Sequence, residues 1–553
     1  MSVVKSELRR GHYCDSIVLM QLQAALAGLP GIADSGAVMA TEANRQLLAS
    51  QGLLPEDAGE AGDGDLLVVV KAEDENAAER ALGQIDALLA RRRGGGGEGY
   101  RPKSLAAAVR QLPAARWASI SVPGRYAAEL ARQALELGRN VFLYSDNVSL
   151  DDEVELKRLA AERGLLVMGP DCGTAIVGGI GLGFANRVRR GAVGLIGASG
   201  TGLQAIASRL HQLGAGVSHA LGTGGRDLSA EVGGATARQA LALLAGDPAT
   251  RVVTLVSKPP APAVAARLLA AARSCGKPVV IDFLGYVPPV RRIGSLHFAA
   301  GLEEAAELAA ELADGGPQRV AASGGEGYLR GLFAGGTLAT ETLLQLRLFL
   351  TPLASNAALA GVERLADPTA SRGHTVLDLG ADELTVGRLH PMIDPDLRLR
   401  RLRREAADPE VGLLLLDVVL GEGADPDPAA SLAPAVAEIK RARPELAVVL
   451  IVVGTGDDPQ DRDAQIERLS DAGAEVYDTV AGALARASEW ALRPASLPAV
   501  EAGALASPPA VINAGLESFY SSLVDQGAEA LQLDWRPPAG GDEKLIALLR
   551  RMR

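Results

Sequence analysis

The segment Ala192-Val193-Gly194-Leu195-Ile196-Gly197-Ala198-Ser199-Gly200-Thr201-Gly202-Leu203-Gln204 predicts a strand, a turn and the start of a helix. Its apolar first half is typical of a buried parallel strand, and its glycines let the backbone turn tightly and approach a ligand closely. A helix that begins in such a turn directs free N–H groups and the positive end of its dipole at that ligand. We therefore predict that Ser199, Gly200, Thr201 and Gly202 bind a phosphate or a carboxylate. A helix cap without a ligand is the alternative, because serine and threonine cap helices routinely.

Size and composition predict an α/β protein of several domains. The chain has 553 residues, and domains hold about 100–200 residues, so roughly three to five domains are expected. Hydrophobic residues make up 48% of the chain and aromatic residues 3%, a balance that favours close-packed layers of helix on sheet.

Charge and cysteine content exclude several classes of function. The formal net charge of −12 argues against nucleic-acid and anionic-membrane partners. No apolar run approaches the roughly 18–20 residues that span a bilayer, and the charged first residues do not resemble a signal peptide. Cys14, Cys172 and Cys275 lie far apart, which argues against a disulfide framework and a metal cluster. A cytoplasmic protein without a bound metal is expected.

Changes of pattern along the chain predict five regions. Strand and helix signals alternate over the first 90 residues, and the glycine-rich stretch Arg91–Gly97 interrupts them. The five predicted regions are a small α+β N-terminal domain (1–95), a doubly wound Rossmann-like domain (104–190), two further α/β domains (191–316 and 317–500) and a C-terminal docking segment (510–553).

The two α/β domains are predicted to be an internal repeat. The run Arg330–Leu338 restates the first strand, turn and helix start, and Thr375–Glu383 restates the glycine-rich loop Gly222–Asp227. Two such domains that pack face to face would aim two helix N-termini at one anion. The repeat thus adds Gly335, Gly336 and Thr337, together with Gly224 and Gly225, to the predicted phosphate- and substrate-binding residues.

Titratable side chains follow the strands of the repeat. His390 is the best candidate for a general acid or base, because its reference pKa lies near neutrality, and a structural histidine before a proline turn is the alternative. Asp378, Asp382 and Glu383 are predicted to orient His390 or to bind a substrate nitrogen. Asp417 and the loop Gly421–Asp425 follow another strand, and we expect them to contact substrate nitrogen or solvent.

With these segments side by side, the chain resembles succinyl-CoA synthetase. Gly169–Cys172, Val193–Leu203, Gly222–Asp227 and Lys277–Val280 are similar to its α subunit, and Gly335–Ala339 with Val376–Gly380 to the carboxyl-terminal ligase domain of its β subunit. With Tyr13–Ser16, His390–Asp394 and Asp534–Pro538 added, the whole chain resembles the FdrA family. The resemblance implies a CoA-binding-like Rossmann domain followed by two flavodoxin-like ligase domains.

Three departures from the synthetase bear on the chemistry. Its phosphorylated histidine stands in a Gly-His-Ala-Gly run, whereas this chain has Gly294-Ser295-Leu296-His297. Its ATP-grasp half has no counterpart, and Ser121–Arg125 replaces its CoA-loop glycines. These departures imply a direct transfer that requires no cofactor, while CoA binding near Arg125 remains open.

By resemblance to FdrA proteins, the expected activity is that of an oxamate carbamoyltransferase subunit in allantoin and purine breakdown. That enzyme converts oxalurate and phosphate reversibly to oxamate and carbamoyl phosphate. The implied partners are phosphate or carbamoyl phosphate, a small carboxylate and other subunits in a homo- or hetero-oligomer. One alternative is an acyl-CoA synthetase subunit with a phosphorylated His297, and a second is a non-catalytic scaffold.

Overall fold

The computed structural model describes residues 2–12, 16–54, 61–62, 65–90, 101–315 and 324–537. Cys14 and the stretch Arg91–Gly97 lie outside the described residues. The chain divides into two compact units, one formed by Met1–Arg139 with Ala510–Arg553 and the other by Asn140–Pro509. The boundary between them falls inside the predicted Rossmann-like domain 104–190, and the five predicted domain ranges stay predictions.

Strands and helices alternate along the first third of the chain. Its strands are β1 (Val3–Arg9), β2 (Ile32–Met39), β3 (Leu66–Ala72), β4 (Trp117–Ile120), β5 (Asn140–Leu143), β6 (Val167–Met168), β7 (Thr174–Val177) and β8 (Ile180–Gly183). Its helices are α1 (Ser16–Ala27), α2 (Glu42–Ser50), α3 (Glu75–Leu82), α4 (Ile85–Ala90), α5 (Leu105–Gln111), α6 (Gly124–Glu136) and α7 (Leu150–Glu162).

The same alternation continues through the two halves of the predicted repeat. The next strands are β9 (Arg190–Gly197), β10 (Val217–Gly222), β11 (Val252–Ser257), β12 (Val279–Phe283), β13 (Arg292–Ile293), β14 (Leu296–Phe298), β15 (Tyr328–Phe333), β16 (Leu353–Ser355), β17 (Glu363–Arg364), β18 (His374–Asp378), β19 (Val411–Val419), β20 (Ala447–Val453) and β21 (Glu475–Tyr477). The accompanying helices are α8 (Gly200–Gln212), α9 (Ala235–Gly246), α10 (Pro262–Arg273), α11 (Leu302–Asp314), α12 (Gly336–Leu346), α13 (Asp382–Thr385), α14 (Asp396–Ala407), α15 (Pro428–Ala442), α16 (Arg462–Asp471) and α17 (Val480–Ala491). A 3-10 helix over Ala502–Leu505 precedes β22 (Ala510–Ala514), α18 (Glu517–Asp525) and β23 (Glu529–Gln532).

The first unit contains the small N-terminal domain. Its antiparallel sheet has the order β1-β3-β2, and the central strand β3 is buried almost throughout because side chains pack against both of its faces. Alternate residues of β3 point to two clusters, with Val68 in one and Val69 in the other. In the same unit the tail strand β22 pairs in parallel with β4, Val511 opposite Trp117, so this tail segment docks on its own chain.

The first ligase-like half is built on an eight-stranded sheet of order β13-β14-β12-β11-β9-β10-β7-β8. Its centre is parallel, and Gly197 at the end of β9 lies opposite Val256 of β11 and Gly222 of β10. The chain winds from β9 to one side through β10 and then to the other side through β11. Ligands of such sheets bind beyond the carboxyl ends of the strands at this reversal.

The second ligase-like half has a fully parallel seven-stranded sheet of order β17-β16-β18-β15-β19-β20-β21. The winding reverses between β15 and β19, where Leu332 lies opposite Leu416. A continuous core of leucine, valine and alanine side chains covers one face of this sheet, against α14 and α15. The predicted α/β fold with parallel sheets and a small N-terminal domain is confirmed.

In both halves the central helix begins three residues after the central strand ends, at Gly200 after Gly197 and at Gly336 after Phe333. The glycine turns of the repeat therefore occupy the same place in their own sheets. No helix in the described part of the chain is long and apolar enough to cross a lipid bilayer.

Candidate functional site

The first glycine turn lies between β9 and α8, at the reversal of the first sheet. The Ser199 hydroxyl accepts a hydrogen bond of 3.1 Å from the backbone N–H of Gly202, so Ser199 caps α8. A β-carbon on Gly202 would stand 3.1 Å from this oxygen, which makes the glycine part of the cap. The Ser199 side chain therefore acts as a helix cap, as the alternative interpretation of the sequence predicts.

The cap leaves other donors of the turn available. Among the described residues no hydrogen bond is recorded for the backbone N–H of Gly200 or Thr201, and the Thr201 side chain is exposed. Gly200 is half-buried beside Thr174, whose Oγ1 lies 3.4 Å from the position of a β-carbon on this glycine. Two N–H groups and one hydroxyl therefore remain for an anion at the positive end of α8.

The loop after β10 has a packing role that explains Gly224. This residue has a φ of +82°, and a β-carbon there would collide with the backbone oxygen of Pro170. Beneath the loop the buried Lys157 donates to the Thr223 backbone oxygen at 3.0 Å and to the Asp227 carboxylate at 2.8 Å. The loop is therefore held by interior contacts, and Gly225 lies beside the carboxylate of Asp171.

The second glycine turn lies between β15 and α12 and is held by a buried acid. Asp417 in β19 accepts 2.8 Å hydrogen bonds from the backbone N–H groups of Ala334 and Gly335. Its oxygen Oδ1 also lies 3.1 Å from Nη1 of the buried Arg398, which donates to the Asp417 backbone oxygen at 2.6 Å. A carboxylate of the protein itself thus fills the base of this anion-binding turn.

This arrangement corrects the expectation for Asp417. Its side chain is fully buried beneath the turn, so it contacts neither solvent nor, across the turn, a substrate nitrogen. The physical reason is that the N–H groups of Ala334 and Gly335, together with the guanidinium of Arg398, satisfy an ionised carboxylate in the interior. Only the N–H groups of the first turn of α12, beginning at Gly336 and the exposed Thr337, remain for a ligand.

Asp378 lies at the end of β18, beside this turn. A β-carbon on Gly336 would stand 2.6 Å from Asp378 Oδ2, so the missing side chain makes room for the carboxyl group. The carboxyl accepts a 2.9 Å hydrogen bond from the Gly380 N–H. Burial raises the pKa of Asp378, the nearby Asp417 adds to this effect, and His390 opposes it. The carboxyl group therefore holds its proton to higher pH than an ordinary aspartate.

His390 joins the same cluster. Its Nδ1 accepts a 3.3 Å hydrogen bond from the Met392 N–H, so in the neutral ring the proton resides on Nε2. Nε2 lies 2.5 Å from the position that a β-carbon on Gly380 would take. The structure thus brings His390, Asp378, Gly335 and Gly336 together, whereas Asp382 and Glu383 are exposed at the start of α13.

Two polar groups at or just after the carboxyl ends of strands carry no recognisable sequence motif. Asn356 locks the end of β18, because its side chain donates to the Asp378 backbone oxygen at 2.8 Å and accepts from the Asp378 N–H at 2.9 Å. Asp282, at the carboxyl end of β12, is buried with no recorded partner for Oδ2 in the described part of the chain. Burial raises the pKa of Asp282 to about 6.

Two other groups that were candidates for catalysis, His297 and Cys172, lie in the packed interior or in a sheet. His297 is a half-buried residue of β14, paired with Val280 and Arg292, and burial lowers its pKa. Cys172 is buried, and burial raises the pKa of its thiol to about 12, so it is not a nucleophile at neutral pH. The described residues contain no group of three or more side chains suited to hold a metal ion.

Three family models match separate parts of the chain. The AllF heavy metal-associated domain matches residues 1–103, the CoA binding domain residues 188–285 and the CoA-ligase domain residues 332–490. The CoA-binding match contains the Ser199 turn, and the CoA-ligase match contains the Gly335 turn, Asp378, His390 and Asp417. The first glycine turn therefore lies in a match to the CoA binding domain, and the second lies in a match to the CoA-ligase domain.

Individual relatives agree with the domain matches. The uncharacterized protein YahF of Escherichia coli (strain K12) is 41% identical over 506 residues, which are 87% of this chain and 98% of YahF. Succinate–CoA ligase [ADP-forming] subunit alpha 2 of Archaeoglobus fulgidus is 31% identical over 186 residues, 32% of this chain and 61% of that protein. Malate–CoA ligase subunit alpha of Methylorubrum extorquens is 28% identical over 198 residues, 34% of this chain and 65% of that protein.

Proposed function

Because the chain belongs to the FdrA-like family of succinyl-CoA synthetase relatives, together with YahF, we propose that it catalyses phosphate-dependent transfer of an acyl-type group. The acyl-type group is carbamoyl, and the reaction is the reversible conversion of oxalurate and phosphate to oxamate and carbamoyl phosphate. The observation that carries the proposal is the cluster of Asp378, His390 and the free N–H groups of α12 at the reversal of the second sheet.

The reaction balances without a protein-bound intermediate. An oxygen of hydrogen phosphate forms a bond to the carbamoyl carbon of oxalurate, and the bond from that carbon to the oxamate nitrogen breaks. The proton of hydrogen phosphate ends on the oxamate nitrogen after passing through a protein group. No phosphohistidine is needed, which agrees with the placement of His297 in a strand.

The two glycine turns suit different parts of the substrate. Among the described residues no hydrogen-bond acceptor is recorded for the N–H groups of Gly200 and Thr201, so the Ser199 turn is the better site for phosphate. At the second turn Asp417 already neutralises part of the positive field, so a neutral carbonyl oxygen suits the N–H groups of Gly336 and Thr337 better than a phosphate does. The proposal requires both turns to meet at one substrate, and this convergence stays a prediction.

Asp378 and His390 supply the proton transfer. Burial raises the pKa of Asp378 and so favours its protonated form, which suits an acid that protonates the departing nitrogen. The Nε2–H of His390 is a second donor at the same place. Either group returns to its starting state when it takes the proton released by phosphate.

A second candidate is an acyl-CoA ligase subunit, and the matched family models and the two CoA ligase relatives favour it more directly than they favour carbamoyl transfer. In the loop after β4, however, the Ser121 hydroxyl accepts from the Leu516 N–H at 2.8 Å, and Pro123 has no N–H. These contacts occupy donors and acceptors of that loop, while the CoA binding domain match covers the Ser199 turn, and the main proposal routes no step through CoA.

The deciding experiment incubates the full chain with oxalurate and phosphate, alone and with the proteins encoded beside it. Phosphorus NMR detects carbamoyl phosphate, and a thiol reagent detects CoA released from succinyl-CoA in a parallel sample. Carbamoyl phosphate that forms without CoA supports the main proposal, and CoA release supports the ligase. If neither product forms in any combination, both proposals fail and the scaffold alternative gains support.

A further inference from the structure

A cavity of about 410 Å³ lies at the amino ends of β15, β16 and β18, the end of the second sheet opposite to the glycine turn. One wall comes from α9 and α10 of the first half, and the other comes from the second half. The two walls are joined by a 3.1 Å hydrogen bond from the Ala495 N–H to the Ala270 backbone oxygen. The lining residues used below are Arg238, Arg267, Phe349, His374, Trp490 and Arg493.

The cavity is strongly positive although the chain is acidic. Arg238, Arg267 and Arg493 line it, and no acidic side chain is among its lining residues in the described part of the chain. The structure records no hydrogen bond or ion pair for these three guanidinium groups within the described ranges. A net charge of −12 makes three unneutralised arginines on one cavity an unusual concentration of positive charge.

A neighbouring cavity shows the contrast. It measures about 880 Å³ and is also lined by two arginines, Arg443 and Arg486. There, however, Arg486 is held by Glu475 at 2.6 and 2.9 Å, and Arg443 donates to Glu445 at 3.0 Å. The guanidinium groups of the larger cavity are thus paired with carboxylates of the protein, whereas no such pair is recorded for the three arginines of the smaller cavity in the described residues.

The rest of the smaller cavity adds a neutral donor and an apolar wall. The His374 Nδ1 accepts a 3.0 Å hydrogen bond from the Leu329 N–H, so Nε2 carries the proton of the neutral ring. Burial, with the charges of Arg330 and Arg493, lowers the pKa of His374 to about 4, so the ring stays neutral at pH 7. Trp490 and Phe349 are buried and offer aromatic surface beside the charges.

We propose that this cavity binds a small polyanion carrying at least two phosphate or carboxylate groups, which contacts both ligase-like halves at once. Arg238 and Arg267 come from the first half and Arg493 from the second, so one ligand with two anionic ends neutralises both walls. The volume is within the usual range of about 300–1,000 Å³ for small-molecule sites. The ligand then acts as an effector that holds the two halves together.

The test measures binding to the full chain by titration calorimetry, with pyrophosphate in one series and citrate in another. Arg267→Ala and Arg493→Ala, both at exposed positions, are each expected to weaken binding about tenfold or more, and Lys variants are expected to weaken it less. Arg372→Ala, an exposed arginine paired with Glu363 in the second half, is the control and should bind like the parent.

Each outcome decides the proposal. Binding of pyrophosphate alone assigns phosphate groups, binding of citrate alone assigns carboxylates, and loss of either binding in the double variant Arg267→Ala with Arg493→Ala supports the site. Absence of binding by both probes, or unchanged affinity in the double variant with an unchanged melting temperature, overturns it. Since the assay contains no substrate, its result is independent of the proposed carbamoyl transfer.

Discussion

The Asp417 carboxylate accepts a 2.8 Å hydrogen bond from the backbone N–H of Gly335, across the point where the second sheet reverses. Asp417→Asn removes the charge that compensates the buried Arg398. Breaking a buried ion pair by removing one partner costs about 3–5 kcal/mol, so we expect a loss of that order in the free energy of unfolding. Urea unfolding followed by circular dichroism measures it.

The matched control for this loss is Asp396→Asn, which removes an exposed carboxylate paired with Arg400 on α14. Exposed pairs contribute about 0–1 kcal/mol, so the control should unfold almost like the parent protein. Equal stability losses in the two variants would show that Asp417 is not the support of the turn.

Gly336 is predicted to be required because it makes room for Asp378. A β-carbon there would stand 2.6 Å from the Asp378 carboxyl, so Gly336→Ala must displace that group. Misplacement of a reacting group by about 1 Å costs on the order of 100-fold in rate, and we expect a loss of this size in kcat for carbamoyl phosphate formation. Gly456→Ala is the control, because a β-carbon on Gly456 meets no atom within 4 Å.

Variants of Ser199 and Thr201 are expected to distinguish effects on stability from effects on activity in the first glycine turn. Ser199→Ala removes a helix cap and should cost about 1 kcal/mol of stability, as should Ser149→Ala, which removes the cap of α7. Only Ser199→Ala is expected to lower the affinity for phosphate. Thr201→Val alters an exposed hydroxyl and should reduce kcat roughly 100-fold without changing the melting temperature.

The scaffold alternative makes the opposite prediction for this turn. If the chain only organises other subunits, the double variant Ser199→Ala with Thr201→Ala leaves the activity of the assembled complex unchanged. The measurement is carbamoyl phosphate formation by the complex, with Ser149→Ala as the control for stability.

Sequence patterns predict the strand–turn–helix units because those units are local. The apolar run before Gly197 and the glycines after it lie within a few residues of each other, and a buried parallel strand followed by a helix N-terminus is the outcome. The same holds for β15 and α12, and Asp378 lies at the end of β18, where the carboxyl ends of parallel strands meet, whereas His390 reaches it from the loop after α13.

The position of Asp417 could not be predicted in this way. Residue 417 follows a continuous apolar run, and that pattern does not distinguish an acid that faces solvent from one that turns into the sheet. The decisive partners, Ala334 and Gly335, lie more than 80 residues earlier in the chain, and the pairing depends on β19 adding next to β15. The burial of Asp282 and the grouping of the arginines around the 410 Å³ cavity also depend on residues that are distant in sequence, so local patterns do not predict them.

Convergence of the two turns is predicted to be measurable with paired cysteines. Thr201→Cys and Thr337→Cys introduce exposed thiols in a Cys14→Ser background. The buried Cys172 and Cys275 should not compete, because burial raises the pKa of their thiols to about 12 and about 11. We expect a short bis-maleimide to link the pair within one chain or between two subunits, detected by peptide mass spectrometry. Failure to link with any short reagent would contradict the shared-substrate proposal.

Asp282 is predicted to make stability fall with rising pH. Its pKa is about 6 in the folded chain and about 3.9 when unfolded, so the folded state retains the proton to higher pH. The free energy of unfolding is therefore highest below pH 4 with respect to this group. It decreases between about pH 4 and pH 6 and levels off after a loss of about 3 kcal/mol. Asp282→Asn cannot ionise and should be more stable than the parent at pH 8 by up to that amount, but not at pH 4. Urea midpoints at the two pH values measure the difference, and the exposed Asp471→Asn should show none. An equal gain at both pH values would mean that packing, and not the ionisation of Asp282, separates the variants.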